Sequence, residues 1–302
     1  MMKISFIIVV LSLILIGLWR WNTQSQHYLF EVAIPESFPE NSFSHQQFEH
    51  LLQRFVSAKG NIHYQQWLDT ENAHLQLKQY LAAVAKYSPE NAPHRFPSDQ
   101  DELAYWIYSY NALVIHIILS NWPLNSVTDI KAPIELIKGM GFFYNQKFII
   151  GGKSYNLYQL EQQKMVKANA DPRLHFALNC GSKSCPPMRP RLPVGAELST
   201  FLQQITVEFI DNTENVSFDS KTGTLKLSTL FEWYKADFAQ YALSQLYLQD
   251  KPLSQQQALI IFIDHFRTEK LLPATETITI EFQPYQWKIN EAQAISGGNK
   301  NK

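Results

Sequence analysis

SDQDELAYWIYSYNALVIHII, residues 98–118, decides how this chain folds. Ser98 followed three residues later by Asp101 has the form of a helix start, in which a hydroxyl caps a free amide of the first turn. Leu103, Trp106, Ile107, Tyr110, Leu113, Val114, Ile117 and Ile118 then recur at the helical period. The stretch is apolar around so much of its circumference that it must be a central helix, nearly surrounded by other elements. Asn111 is polar where burial is expected, so it must hydrogen-bond, either as a core amide tying helix to sheet or as a catalytic group. His116 shares a stripe with Ser109 and Ala112, about 140° around the helix from Asn111, so those two cannot both face one site squarely.

Upstream, Phe43, Phe48, Leu51, Leu52 and Phe55 recur at helical spacing. A second amphipathic stretch runs from about Asp69 to Lys86, where Ser88 and Pro89 stop it, and the two are expected to pack together. Downstream, FFYNQKFIIGGKSYNL sets aromatic and β-branched residues on both sides of Gly151 and Gly152, the pattern of a hairpin. Asn156 can cap a helix to about Lys167. A short strand is expected from Leu174 to Leu178, a helix from about Glu197 to Ile210, and a second hairpin in VSFDSKTGTLKL. Thr229 with Glu232 opens a helix through Phe238, and Ser254 opens one through Phe266. TITIEF and YQWKI close the chain as two strand-like runs separated by Pro284. Hairpins interspersed with helices predict an α+β domain, its central buried helix packed on a largely antiparallel sheet with additional helices around it.

The chain has 302 residues, 45% of them hydrophobic, which is enough for a sizeable core. With 26 basic against 27 acidic residues it carries no global field to attract DNA or RNA, and no nucleic-acid partner is expected. The first 21 residues, MMKISFIIVVLSLILIGLWRW, place Lys3 and the α-amine before an uncharged run, with Arg20 and two tryptophans behind it. That is a membrane anchor or a signal segment. The run is slightly short of the roughly 20 residues of a relaxed span. The tryptophans suit an interfacial belt, and small residues for cleavage are poorly placed, the best pair being Thr23 and Ser25, so an uncleaved anchor is preferred. The charge bias predicts a cytoplasmic N-terminus and an exported body, periplasmic in a Gram-negative bacterium, or secreted if the segment is removed. Residues 22–41 read as a linker, 42–290 as one globular domain, and 291–302 as a disordered tail.

Both cysteines lie in DPRLHFALNCGSKSCPP, residues 171–187. Between Pro172 and Ala196 stand Arg173, Lys183, Arg189 and Arg191 without a carboxylate, a setting that lowers a thiol's pKa and raises its reactive thiolate fraction. One reading makes Cys180, at a sharp turn before Gly181, the nucleophile of a thiol-dependent hydrolase or acyltransferase acting on a peptide-like or amide substrate, with His175 as base. A regular strand would point His175 away from Cys180, which leaves His116 and His265 open as bases. The rival reading is a non-catalytic module in which Cys180 and Cys185 close a disulfide loop, or in which the thiol is simply buried. Redox chemistry and metal binding by His175, Cys180 and Cys185 also stand, although those three supply one ligand too few for a structural zinc site, and no metal or cofactor is expected. Lys183, Arg189 and Arg191 could hold an anionic ligand, or simply solvate a loop. The ligand is a peptide or small molecule of unspecified identity.

The segments AYWIYSYNALVIH (104–116), DPRLHFALNCGSKSCP (171–186), STLFEWYKADF (228–238) and YQWKIN (285–290) together resemble the family known as domain of unknown function 547, over roughly residues 101–290. The last segment departs from it, since an acidic residue is expected where Gln286 stands and a serine-like one where Lys288 stands. The resemblance implies an α+β domain without an established activity, distantly similar to papain-like or transglutaminase-like thiol enzymes.

Overall fold

The computed structural model of the chain describes residues 10–16, 26–132, 135–166, 170–246, 252–270 and 278–293. In chain order its leading elements are strand β1 (Gln26–Tyr28), helices α1 (Gln46–Phe55), α2 (Tyr64–Asp69) and α3 (Ala73–Lys86), and the central helix α4 (Asp99–Ser120). The Ser98 side chain accepts from the Asp101 amide at 3.2 Å, as the cap motif requires. Every residue of α4 from Ala104 to Leu119 is buried. By length and composition α4 could cross a membrane, but 94% of its apolar window is covered by protein, so it is the core helix. Each large side chain so covered contributes about 1.5–3 kcal/mol.

α1 and α3 pack as their stripes require. Phe48 stacks on Tyr80 with ring centroids 5.1 Å apart, and His45 Nδ1 lies 2.8 Å from the Tyr80 hydroxyl. Beyond α4 come α5 (Met140–Phe143), the hairpin β2 (Gln146–Ile150) and β3 (Lys153–Tyr155), and a helix, α6, that starts at Leu157–Gln159 and continues with π geometry through Leu160–Val166. α7 (Glu197–Asp211), the hairpin β4 (Val216–Asp219) and β5 (Thr224–Ser228), α8 (Leu230–Trp233), α9 (Lys235–Tyr241), α10 (Gln255–Phe266) and β6 (Thr279–Gln283) complete the order. Asn156 and Ser254 each form a reciprocal capping box at the start of α6 and α10.

The α+β class and the buried central helix follow the sequence pattern, while the sheet is divided. Among the described residues two three-stranded sheets form, β1-β2-β3 and β4-β5-β6, each an antiparallel hairpin extended by one parallel strand. The parallel additions come from segments distant in sequence, which local alternation cannot pair. Thr229 does not cap its helix: its hydroxyl is given to the Gln283 carbonyl, and the helix breaks at Tyr234 between α8 and α9.

Two boundaries shift. Residues 26–30, expected within the linker, belong to the folded domain: β1 pairs with β2, Tyr28 stacks on Phe148, and Phe30 sits edge-on to His116. Arg95 Nη1 also donates to the carbonyls of Pro39 and Ser42. The expected tail begins later, because Ala292 is buried and its amide donates to Ile62 while Glu291 accepts from the Tyr64 amide. Of the N-terminal segment, residues 10–16 are helical and exposed, and the remainder of 1–21 lies outside the described residues, as does 294–302.

Candidate functional site

The segment 171–187 contains no strand. Pro172 occupies the first position of a 3-10 helix, Pro172–Phe176, and the Asp171 carboxylate accepts from the Arg173 amide at 3.0 Å. Proline with its fixed φ and an aspartate at the cap favour that start over an extended one. The expected strand register, which turned His175 from Cys180, therefore does not apply. Ala177 ends the turn with helical dihedrals, and the chain then climbs along α4.

Asn111 and Asn179 fix that climb. Asn111 donates from Nδ2 to the Ala177 carbonyl at 3.0 Å and accepts from the Asn179 amide at 2.9 Å, so it ties α4 to the cysteine segment. Asn179 in turn donates to the Pro186 carbonyl and accepts from the Gly181 amide and Asn290 Nδ2. Gly181, at φ +80°, lies flat on α4: a Cβ there would stand 2.4 Å from Ile118 Cδ1. Only glycine satisfies both the backbone conformation and the approach. The run 285–290 backs the loop through main-chain bonds from Lys183 to the Lys288 carbonyl and from Asn290 to the Gly181 carbonyl. Gln286 contributes its amide to Ser184 Oγ. These contacts use the backbone of Gln286 and Lys288, so their departure from the family pattern leaves the pairing intact.

Cys180 and Cys185 are joined in a disulfide, with Cα atoms 5.9 Å apart. Cys180 is half-buried and Cys185 buried. Polar donors crowd the bridge. The Cys180 amide points to Cys185 Sγ at 3.1 Å, and the Tyr285 hydroxyl lies 2.9 Å from Cys180 Sγ and 3.1 Å from Cys185 Sγ. Ser182 Oγ lies 3.1 Å from Cys185 Sγ and 2.7 Å from the Tyr285 oxygen. Burial pushes the Tyr285 phenol well above its ordinary range, so it stays a neutral donor.

The bridge walls a cavity of about 450 Å³ beside α4, between α6, α8 and the C-terminal run. Trp233, Tyr285 and Trp287 form one side, with ring centroids 4.6–5.5 Å apart. Glu161 and His175 face the same cavity. His175 Nε2 meets Asp237 Oδ2 at 3.0 Å, its Nδ1 stands 3.9 Å from Glu161 Oε1, and its ring stacks on Tyr234 at 3.6 Å. The Tyr234 hydroxyl donates to Glu161 at 2.7 Å. Burial raises the Glu161 pKa, with the nearby imidazole opposing it. Cys180 and His175 thus border one cavity, and Asp237 can hold one tautomer of the imidazole. With the disulfide formed, the wall carries no free thiol.

The other predicted site residues scatter. His116 is two residues from both Val114 and Ile118, the positions on which Gly181 rests, and so faces the other side of α4. Its neighbours are His74, Ser120, Tyr28 and Phe30. His265 is exposed near the end of α10 beside Lys270. The carboxylate-free cationic setting exists in sequence but not in space: Arg173 pairs with Asp171 at 2.7 Å, Arg189 with Glu208 at 2.7 Å, and Arg191 stands 3.9 Å from Glu49. Lys183 and Arg189 border a different, polar cavity of about 830 Å³ on the far side of Cys185. Among the described residues no group of three histidine, cysteine or acidic side chains is arranged to hold a metal.

Residues 94–210 match the model of a family described as a protein of unknown function, DUF547. The chain resembles that family. Nothing among curated proteins or solved structures matches it. The DUF547 match spans α4 to α7 and holds Asn111, Glu161, His175 and both cysteines. Tyr234, Asp237 and Tyr285, which complete the cavity, lie beyond the matched residues. From sequence Tyr234 and Tyr285, like Trp233 and Trp287, read as core and rim aromatics rather than a carbohydrate platform, and Asp237 carries no signal of its own, although each falls in a segment that carries the resemblance. Glu161 had no signal except an acid on a helix that the core covers.

Proposed function

We propose that the chain is a membrane-tethered, exported domain whose aromatic cavity binds a peptide or small-molecule ligand, with the Cys180–Cys185 disulfide stiffening the cavity wall. The paired sulfurs carry this reading: a disulfide persists in an oxidising compartment, which agrees with the apolar N-terminal segment, and it leaves no thiolate for nucleophilic attack. Ile137, Tyr158 and Trp233 border the cavity while remaining exposed, an apolar rim of the kind that marks ligand or partner sites. A second reading, a thiol-dependent hydrolase or acyltransferase, is favoured by the placement of Cys180 and His175 on one cavity with Asp237 behind the imidazole.

Alkylation of native protein purified without reductant, read by intact mass, separates them. The binding reading expects no adduct until reductant is added. A single, fast adduct on Cys180 overturns it in favour of the thiol enzyme, and a panel of amides and esters tested against Cys180→Ala then identifies the reaction.

A further inference from the structure

The Tyr285 and Ser182 hydroxyls reach both sulfurs, at 2.9 and 3.3 Å on Cys180 Sγ and 3.1 Å each on Cys185 Sγ, whereas the Cys180 main-chain amide reaches Cys185 alone, and that difference suggests chemistry. A disulfide sulfur is a weak acceptor, so three donor groups within 3.1 Å of Cys185 Sγ do little for the oxidised bridge. They suit a thiolate. The Cys180 amide aims at Cys185 Sγ, and of the Ser182 and Tyr285 hydroxyls, 2.7 Å apart, one bonds to the other and the second O–H is left for sulfur. Both cysteines border the aromatic cavity, but Cys180 is half-buried whereas Cys185 is buried and also backs the polar cavity.

We propose that Cys180–Cys185 is an exchangeable disulfide, attacked at Cys180 by the thiolate of a ligand held in the aromatic cavity. The inference rests on the reading that the bridge is formed in the exported protein, and it assigns thiol-bearing ligands to that same cavity. The incoming thiolate forms a new S–S bond to Cys180 Sγ as the Cys180–Cys185 bond breaks. The electron pair leaves on Cys185 Sγ, where the amide N–H and the free O–H receive it. Attack by a second thiolate on the mixed disulfide releases Cys180 as thiolate, so two ligand thiols are oxidised to a disulfide while the protein bridge is reduced. A leaving thiolate stabilised by hydrogen bonds leaves faster.

Oxidised full-length protein is exposed to reduced glutathione as the probe, quenched with acid at intervals and mapped by mass spectrometry. The expected course is opening of the bridge with transient glutathione on Cys180 and not on Cys185. The double substitution Ser182→Ala, Tyr285→Phe removes the O–H donor and is expected to slow opening about tenfold, the effect of one hydrogen bond to a charged group. Thermal melts of the oxidised variant control for folding, and if the double variant melts early the site of glutathione attachment in the parent protein carries the test. A bridge that resists glutathione in the folded protein, glutathione found on Cys185, or variants that open as fast as the parent overturns the inference. An inert but fully formed bridge leaves the binding reading standing, whereas a free Cys180 in the starting protein removes both.

Discussion

Two buried histidines stand on opposite sides of α4, and their surroundings differ in kind. His175 borders a cavity and meets two carboxylates, Asp237 at 3.0 Å and Glu161 at 3.9 Å. His116 meets no carboxylate among the described residues: His74 stands 3.4 Å away, Lys78 opposes its charge, and Tyr28 and Phe30 close over its ring. Burial drives the His116 pKa down to about 3, with His74 and Lys78 adding to the effect. The comparison shows that burying a histidine makes a packing residue by default. An acid partner and an open cavity are what turn the same side chain toward chemistry.

The largest effect expected from this contrast is on acid stability. His45, like His116, is held at about 3 by burial, so both are neutral in the folded protein and titrate near 6.5 when unfolded. The unfolded chain then binds more protons between those values, and stability is present above pH 6.5 and lost as pH falls toward 3. Each histidine accounts for at most about 5 kcal/mol over that window, at 1.36 kcal/mol per unit. Urea unfolding across pH should show that slope, and His116→Gln should flatten its share. An unchanged slope would break the assignment of His116 as a neutral packing residue.

A smaller effect is expected on the cavity side. Gly181→Ala places a methyl group into Ile118 at a backbone angle that disfavours it, and should cost about 3 kcal/mol in thermal or chemical unfolding. Because Gly181 adjoins the bridge, the same variant should also disturb thiol exchange, whereas His116→Gln should not. The smallest effect belongs to the rim. Arg191 is exposed and 3.9 Å from Glu49, so Arg191→Ala should change stability by less than about 0.5 kcal/mol and should leave ligand binding unchanged. Loss of binding would show that this cation does hold an anionic ligand.

Local order was legible in most places where neighbours in sequence are neighbours in space, with Thr229, whose hydroxyl goes to the distant Gln283 carbonyl, among the exceptions. The Ser98 cap, the α4 stripe, the two hairpins and the capping box at Ser254 all depend on contacts within a few residues, and periodicity exposes them. The short apolar run 174–178, read as a strand, forms a turn instead, because Asp171 and Pro172 start a 3-10 helix there. β1 and β6 escaped notice as parallel partners because their pairing lies across the fold.

The sequence by itself determined that a nearly all-apolar helix must lie at the centre, that the cysteines and His175 share one segment, and that basic and acidic residues nearly balance. Asn111 had to find partners, because a buried amide without them is costly. The tertiary structure alone decided which side of α4 each histidine faces, which carboxylates neutralise the arginines, and that Tyr285 rests on both sulfurs from 105 and 100 residues away. Those choices depend on packing between distant segments, and electrostatics follows distance in space rather than distance along the chain.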